Sequence, residues 1–340
     1  MSFRGIFIVG MDGRRLNQEV DGYPVISKQA GVENRSGWLV NDIRKAYQGR
    51  IRALAYTEKS LTFMNMNTSG LSGESKEKFD CLTEELRSYK KLALAFSGGT
   101  DSGFLLAAAS VAGLEKVLAV TIVSRFFTEK EKERAGELAG AMGVDHLFVD
   151  LDILNCPEVM RNDDRRCYFC KQQGFSRIRD EAANQGILNL VHAINLDDLG
   201  DYRPGIEAAN ELGFKSPLVT AGFSKREIRE CSKVLGLSTW DLPSQSCLAT
   251  RIPAGEAITS QKLEMIEKAE AVLHDLGHAQ VRVRCHGSLA RIEIPPDDIP
   301  AVMDSGVREE ISRALKAIGF SFVSLDLTGY RTGKMNQNRT

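Results

Sequence analysis

From Leu92 to Ile194 the chain alternates short apolar runs of β type with segments of helical pattern. LALAF (Leu92–Phe96) precedes a Gly-rich turn and GFLLAAASVAGL, and VLAVTIV (Val117–Val123) precedes TEKEKERAGELAGAMG. HLFVDL follows, then a long Cys-containing connection and NLVHAI (Asn189–Ile194). Short buried strands with helices between them imply a parallel sheet covered on both faces, which is the doubly wound α/β class. Helix starts are marked locally. Thr128 with Glu131 reads as a capping box with Gly143 as a stop. Ser224 with Glu227 reads as another, with Phe223 and Ile228 spaced as a hydrophobic staple and Gly236 as its end.

The pattern changes after DLPSQSCLATRIPAGE (Asp241–Glu256). Leu263, Ile266, Ala269, Val272 or Leu273, and Leu276 form one helical stripe. QVRVRCHGSLARIEIP then reads as a hairpin about Gly287-Ser288, with Val281, Val283 and Cys285 opposite Ile294, Ile292 and Ala290 on one apolar face. A last helix and FSFVSLDL complete a smaller α+β unit. Residues 1–75 hold two strand-like pieces, GIFIV and IRALAYTEKSLTFM, and end in GLSGESKE, a linker composition. The expected organisation is an N-terminal α+β module over 1–75, an α/β domain over 76–245 and a C-terminal α+β domain over 246–340.

Composition excludes several classes. A net charge of -1 gives no support for a broad nucleic-acid-binding surface, so no nucleic-acid partner is expected. No apolar run approaches the roughly 18–20 residues of a membrane helix, so no membrane partner is expected either. MSFRGIFIVG reads as a strand and not as a signal peptide. Seven cysteines, at 81, 156, 167, 170, 231, 247 and 285, form an odd set in a long chain without a secretion signal. That pattern points to the reducing cytoplasm, where thiols are buried, catalytic or metal-bound.

FSGGTDSG (Phe96–Gly103) lies where a buried strand hands over to a helix. Gly98 and Gly99 allow a tight turn and let backbone N–H groups approach an anion. The helix N-terminus favours negative charge there. Ser97, Thr100 and Ser102 add hydroxyl donors. Asp101 would repel a bare phosphate, so a divalent cation beside it is expected, with Mg²⁺ the natural choice. The loop carries no Walker lysine, so it is not of the GTPase type. An ordinary βα turn with a Ser or Asp cap is the plain alternative.

SGGTDS (Ser97–Ser102) resembles the signature of the PP-loop ATP pyrophosphatases, whose fold is adenine nucleotide alpha hydrolase-like. That superfamily cleaves ATP between the α- and β-phosphates and forms an adenylated intermediate. Together with NLDDLGDYRPG (Asn195–Gly205), LPSQSCLATRIPAGE (Leu242–Glu256) and LDLTGYRTGKMN (Leu325–Asn336), the loop resembles the LarE family of ATP-dependent sulfur transferases, from about residue 77 onward. An aromatic residue is expected after CLATRIP, where this chain has Ala254. The resemblance implies adenylation of a carboxylate of a pyridinium dicarboxylate mononucleotide, followed by displacement of AMP by sulfur to leave a thiocarboxylate in nickel-pincer cofactor synthesis. It implies Ser97–Ser102 as the ATP site with Asp101 catalytic. It also implies a homo-oligomer, and a sulfide or sulfur-carrier donor.

The sulfur source turns on RRCYFCK (Arg165–Lys171), the chain's one Cys-x-x-Cys pair. Two thiolates are too few for a structural metal site. Some members of the resembled family consume one cysteine at the position of Cys247. Others have two more, and the three hold a [4Fe–4S] cluster. This chain has Cys167, Cys170 and Cys247, which the resemblance makes both catalytic residues and cluster ligands with one corner open. Arg165, Arg166 and Lys171 would favour thiolates. A redox pair, a zinc site completed by His192 or His286, and a sacrificial Cys247 stay open as alternatives.

Arg282 and Arg284 alternate with Val281 and Val283 and so face away from the hairpin core. In the expected register Arg284 faces Arg291, a like-charge pair that is easier to understand with an anion between the guanidiniums. A nucleotide monophosphate is one such anion. The resemblance places substrate phosphate on Thr250, Arg251, Arg282 and Arg284. Asp198, Asp201 and Arg203 are further candidates for the active site or a subunit contact. Competing functions are a PP-loop tRNA thiolase, an ammonia-using ligase, and a non-catalytic nucleotide-binding assembly protein.

Overall fold

A computed structural model describes residues 68–71, 73–200, 203–243 and 246–330. The strand-like pieces expected before residue 68 lie outside these residues, as does Asp201. GLSGESKE, expected as a linker, instead leads into helix α1, Gly73–Ser88. The reason lies just downstream, where Phe79, Leu82 and Leu86 form a buried helical stripe and Phe79 meets Phe104 with ring centroids 5.9 Å apart.

The expected alternation follows. It comprises β1 (Lys91–Ala95), α2 (Thr100–Val111), β2 (Lys116–Val123), α3 (Glu129–Ala141), β3 (Asp145–Asp150), α4 (Arg166–Asn184), β4 (Asn189–His192), α5 (Pro204–Glu211), β5 (Phe214–Lys215) and α6 (Lys225–Val234). These strands form one parallel sheet in the order β3-β2-β1-β4-β5. Leu92 and Leu94 pack on one face with Phe104, Leu138, Phe223 and Ile228 from α2, α3 and the start of α6. Ala93 lies in the opposite core with Phe175, Ile178 and Ala182 of α4. Both capping boxes are present, at Thr128–Glu131 and Ser224–Glu227.

The chain order leaves β2 and β3 on one side of β1, and β4 and β5 on the other. The connections after β1 and β4 therefore diverge, and the crevice beyond their carboxyl ends is where sheets of this kind hold ligands. Helix α4 comes close to the sheet at Gly174, where a Cβ would stand 3.4 Å from Ile122.

Helix α7 (Ser260–Asp275), β6 (Arg282–His286), β7 (Leu289–Glu293), α8 (Ser305–Ile318) and β8 (Phe322–Leu325) follow. β6 and β7 pair antiparallel with Val283 opposite Ile292, Arg284 opposite Arg291 and Cys285 opposite Ala290. This is the register the alternation implied, and its apolar face joins Leu263, Ile266 and Leu273 of α7 in one core. β8 adds parallel to β7. Among the described residues no helix is long and apolar enough to cross a membrane.

Two histidines are built into the large sheet. His146 of β3 shares a 2.8 Å hydrogen bond with the Thr121 hydroxyl, and His192 of β4 shares one of 2.8 Å with Ser216. Burial lowers each to about 4, whereas an unfolded histidine titrates near 6.5. Between these values the unfolded chain binds more protons than the folded one. Folding stability therefore falls as pH drops from about 6.5 to about 4. Urea unfolding across this window should show a loss of a few kcal/mol, and His192→Asn should flatten the slope.

Candidate active site

The connection after β1 turns through Ser97, Gly98 and Gly99 into α2. Gly98 has φ +68°, and a Cβ there would stand 2.9 Å from the Ala135 backbone, so glycine is required by both conformation and space. The Arg134 Nε donates to the Gly98 carbonyl at 3.0 Å and holds the turn against α3. Gly99 occupies the N-cap of α2, and no side chain caps the helix. First-turn N–H groups are thus left for an anion. The Ser97 and Ser102 hydroxyls lie 3.0 Å apart. Thr100 departs from expectation. Its hydroxyl donates to the buried Thr239 carbonyl at 2.8 Å and so anchors the helix rather than facing a ligand.

Beside Asp101 stands the ammonium of Lys225, which donates to both carboxylate oxygens at 2.6 Å. Burial pushes the Asp101 carboxyl above its usual range, against the pull of Lys225. Beyond β4, Asp198 accepts from the Asn195 N–H at 3.0 Å and pairs with Arg203 at 2.8 Å. Asp197 accepts from the Lys225 N–H at 2.6 Å. Asp198 is thus both a local cap and half of an ion pair.

The Cys-x-x-Cys pair lies in the first turns of α4. Cys167 is exposed and Cys170 half-buried. Both line one cavity of about 220 Å³ with Cys247, and Ser97 of the glycine loop lines it too. Arg166 and Lys171 supply positive charge to its wall, and Phe126, Ile122 and Phe175 supply an apolar one. Burial pushes the Cys170 thiol up to about 12, and the neighbouring Cys247 and Cys167 sulfurs add to the rise. The trio expected from the sequence therefore converges on one cavity. Among the described residues no three His, Cys, Asp or Glu side chains gather closely enough to hold a single metal ion.

Residues far from Cys247 in sequence hold it there. Asn162, left-handed at φ +57°, donates its amide to the carbonyls of Ile252, Pro253 and Glu256 at 3.3, 2.8 and 3.0 Å. The Gly255 N–H returns a bond to the Asn162 carbonyl at 3.0 Å. The Leu248 N–H donates to Phe126 at 3.3 Å, and Arg166 donates to the Ala249 carbonyl at 3.3 Å.

Behind Cys247 lies a buried layer of arginines. Arg251 pairs with both oxygens of Glu270 at 2.9 and 3.0 Å and also donates to the carbonyls of Ser246 and Cys247. Arg284 pairs with Glu293 at 2.8 Å and donates to the Thr250 carbonyl at 2.8 Å. The Thr250 hydroxyl donates to the Cys247 carbonyl at 2.8 Å. The other Glu293 oxygen takes Arg291 at 2.9 Å. The anion expected between Arg284 and Arg291 is therefore Glu293, fully buried, and no ligand is needed to explain the like-charge pair. Arg282 is buried, donates to the Val281 carbonyl and stacks over Tyr330 at 5.5 Å.

Sequence reasoning missed Lys225, Arg134, Asn162 and Glu293 as parts of the site. One signal was available for Glu270. It follows Ile266 by four on the apolar stripe of α7, so a carboxylate stood on the core face.

The chain is similar to known proteins over most of its length. It is 38% identical over 262 residues to an uncharacterized protein of Synechocystis sp., covering 77% of this chain and 98% of the relative. It is 35% identical over 260 residues to pyridinium-3,5-bisthiocarboxylic acid mononucleotide synthase of Lactiplantibacillus plantarum, covering 76% and 94%. It is 29% identical over 262 residues to an uncharacterized protein of Methanocaldococcus jannaschii, covering 77% and 96%. No family model matches it.

Two outcomes follow from this geometry. Asn162→Ala strips the carbonyls of Ile252, Pro253 and Glu256 of a shared donor and puts alanine in a left-handed conformation. It should cost about 2–4 kcal/mol in denaturant unfolding. In metal-free protein at pH 8, a thiol-alkylating reagent followed by peptide mass analysis should mark exposed Cys167 well before Cys170. The Cys170 rate should rise about tenfold per pH unit from 7 to 10, because only its thiolate reacts.

Proposed function

The chain belongs to the LarE family, and from that premise we propose that it transfers sulfur to a carboxylate of a pyridinium dicarboxylate mononucleotide, using ATP. The observation that carries this reading is the shared cavity, where three cysteines from two remote segments meet Ser97 of the glycine loop.

In this reading, residues 97–102 and the uncapped start of α2 hold the phosphates of ATP, and Asp101 holds Mg²⁺. A substrate carboxylate oxygen attacks the α-phosphorus and pyrophosphate leaves. The product is an acyl adenylate, whose AMP is a far better leaving group than oxide. A sulfur nucleophile then attacks the acyl carbon. The C–S bond forms, the C–O bond to AMP breaks, and a thiocarboxylate remains. Cys167, Cys170 and Cys247 would hold a [4Fe–4S] cluster, which when bound supplies an exchangeable sulfur. The chain's own part is to keep these thiols together at one cavity. With Cys170 held up near 12, ligation must release its proton, and the basic residues Arg166 and Lys171 favour the charge that results. The apolar wall limits water at the acyl adenylate, which hydrolysis would waste.

Thr250, Arg251, Arg282 and Arg284 enter this reading in a changed role. A substrate phosphate would have to compete with Glu270 and Glu293 for Arg251 and Arg284. We assign Thr250, Arg251 and Arg284 chiefly to positioning the Cys247 segment, whereas Arg282 donates to Val281 and lies over Tyr330.

The test is anaerobic assay of purified protein with ATP and the dicarboxylate mononucleotide, following pyrophosphate, product mass, iron and acid-labile sulfide. Cys167→Ala, Cys170→Ala and Cys247→Ala should each abolish repeated sulfur transfer yet retain pyrophosphate release. Repeated turnover by Cys167→Ala would remove the cluster. A loss of sulfur mass at Cys247, one turnover per chain, would replace it with a consumed cysteine.

A further inference from the structure

Gly205 closes the DYRPG stretch and is the second residue of α5. Its backbone does not call for glycine. It lies outside the left-handed region, and alanine is the better helix former. Space calls for it instead. A Cβ there would stand 2.9 Å from the Lys171 Cγ, 3.6 Å from the Lys171 Cβ and 3.7 Å from the Cys167 carbonyl oxygen. Only the first of these is closer than the roughly 3.5–4.0 Å at which carbon atoms pack. The missing side chain at 205 is therefore matched to one methylene of one lysine.

Neither side of this contact yields cheaply. Drawing α5 off α4 would break the pair of Arg165 with Glu207 at 3.3 Å and the 2.6 Å bond from the Tyr168 hydroxyl to Glu211. It would also open the buried Pro204, Ala208 and Ala209 of α5. The lysine can move its Cγ only by turning χ1 to another staggered well, and every atom beyond turns with it. The ammonium has a defined place to lose. Cys167, Cys170, Lys171, Gly174 and Phe175 recur at helical spacing on one face of α4, and all five line the cavity. The Lys171 ammonium lies 5.4 Å over the Phe175 ring, and no carboxylate among the described residues pairs with it. The reaction proposed above activates one carboxylate of its substrate at a time. The other keeps its negative charge, and beside an apolar wall that charge needs a cation.

We propose that Gly205 is a positioning residue of the site: the side chain it lacks leaves the Lys171 stem in the arrangement that holds the ammonium at the cavity wall, against the unactivated carboxylate of the dicarboxylate mononucleotide. The inference rests on the sulfur-transfer reading above. Gly205 touches no substrate and acts only through Lys171. This gives the glycine of DYRPG a task that its own helix does not supply, and it joins that stretch to the Cys-x-x-Cys turn of α4.

Two measurements on the full chain test this, each with Gly205→Ala in three backgrounds. The first is urea unfolding. Gly205→Ala should lower the midpoint by about 0.5 M where Lys171 is present, the effect of overpacking one carbon. It should lower it equally in Lys171→Met, which keeps the stem, and not at all in Lys171→Ala, which removes the Cγ. The same loss in Lys171→Ala overturns the proposal, because the clash would then lie elsewhere. The second is pyrophosphate release with ATP and the dicarboxylate mononucleotide. Gly205→Ala should raise KM for the mononucleotide about tenfold, the loss of one charged contact. KM for ATP and kcat should stay within about twofold, which a loosened fold would not spare. In Lys171→Met, whose KM is already raised, Gly205→Ala should add no further rise. An unchanged mononucleotide KM in Gly205→Ala overturns the proposal, as does a full further rise in Lys171→Met. Wild-type protein that releases no pyrophosphate with this substrate would defeat the sulfur-transfer reading itself. The unfolding cycle would still decide whether Gly205 sets the Lys171 stem.

Discussion

Asn162 is buried, left-handed, and bonded through its amide to three carbonyls 90 to 94 positions further along the chain. Asparagine suits the position because it enters the left-handed region at less cost than other side chains with a Cβ, and because its amide carries two donors. The bonds tie the turn before α4 to the segment after Cys247. Cys167 and Cys170 ride on α4, and Cys247 rides on the tied segment. The meeting of three sulfurs therefore depends on backbone carbonyls captured by one side chain. A hydrophobic contact alone would allow that segment to slide, while the two N–H groups of one amide, shared among three carbonyls, fix both its distance and its register.

The same segment is held from behind by charge. Arg251 with Glu270 and Arg284 with Glu293 are buried ion pairs, and both arginines also donate to main-chain carbonyls beside Cys247. Removing two charges from water is costly, and such pairs add little net stability compared with packed apolar side chains. What they add here is geometric. A guanidinium planted in a carboxylate has its remaining donors aimed in set directions, and those directions end on the Cys247 loop. The Cys170 thiol is the counterpart. Burial pushes its thiol up to about 12, and the sulfurs of Cys247 and Cys167 beside it add to the rise.

The central strands were legible because buried parallel strands read as continuous apolar runs, and β1, β2 and β4 did so. The hairpin register was legible because a one-residue slip would turn Val283 and Ile292 out of the core. Helix α4 was harder to see. It begins at Arg166 without a capping side chain and carries Gly174 midway, so it reads as a connection. The glycine is explained by Ile122 across from it, a contact that no local pattern reveals. The two-residue strand β5 is below the length at which any period shows. At the site, the loop, the cysteines and the arginines could be named from the chain. Their partners could not. Arg284 was read as facing a nucleotide monophosphate, and the carboxylate against it is Glu293 of the same hairpin.

The sequence alone determined the elements whose signals are local. These are the apolar runs of the longer strands, the two capping boxes, the hairpin turn and the glycine that Gly98's conformation demands. Tertiary structure alone decided who stands next to whom across the crevice, namely Lys225 on Asp101, Asn162 on residues 252–256 and Cys247 beside Cys170. The reason is physical. Backbone periodicity is set by neighbours within a few residues, whereas a side chain's partner is set by how whole elements pack. Partners of that kind are separated by 77 to 124 positions, and nothing in the intervening sequence encodes their distance.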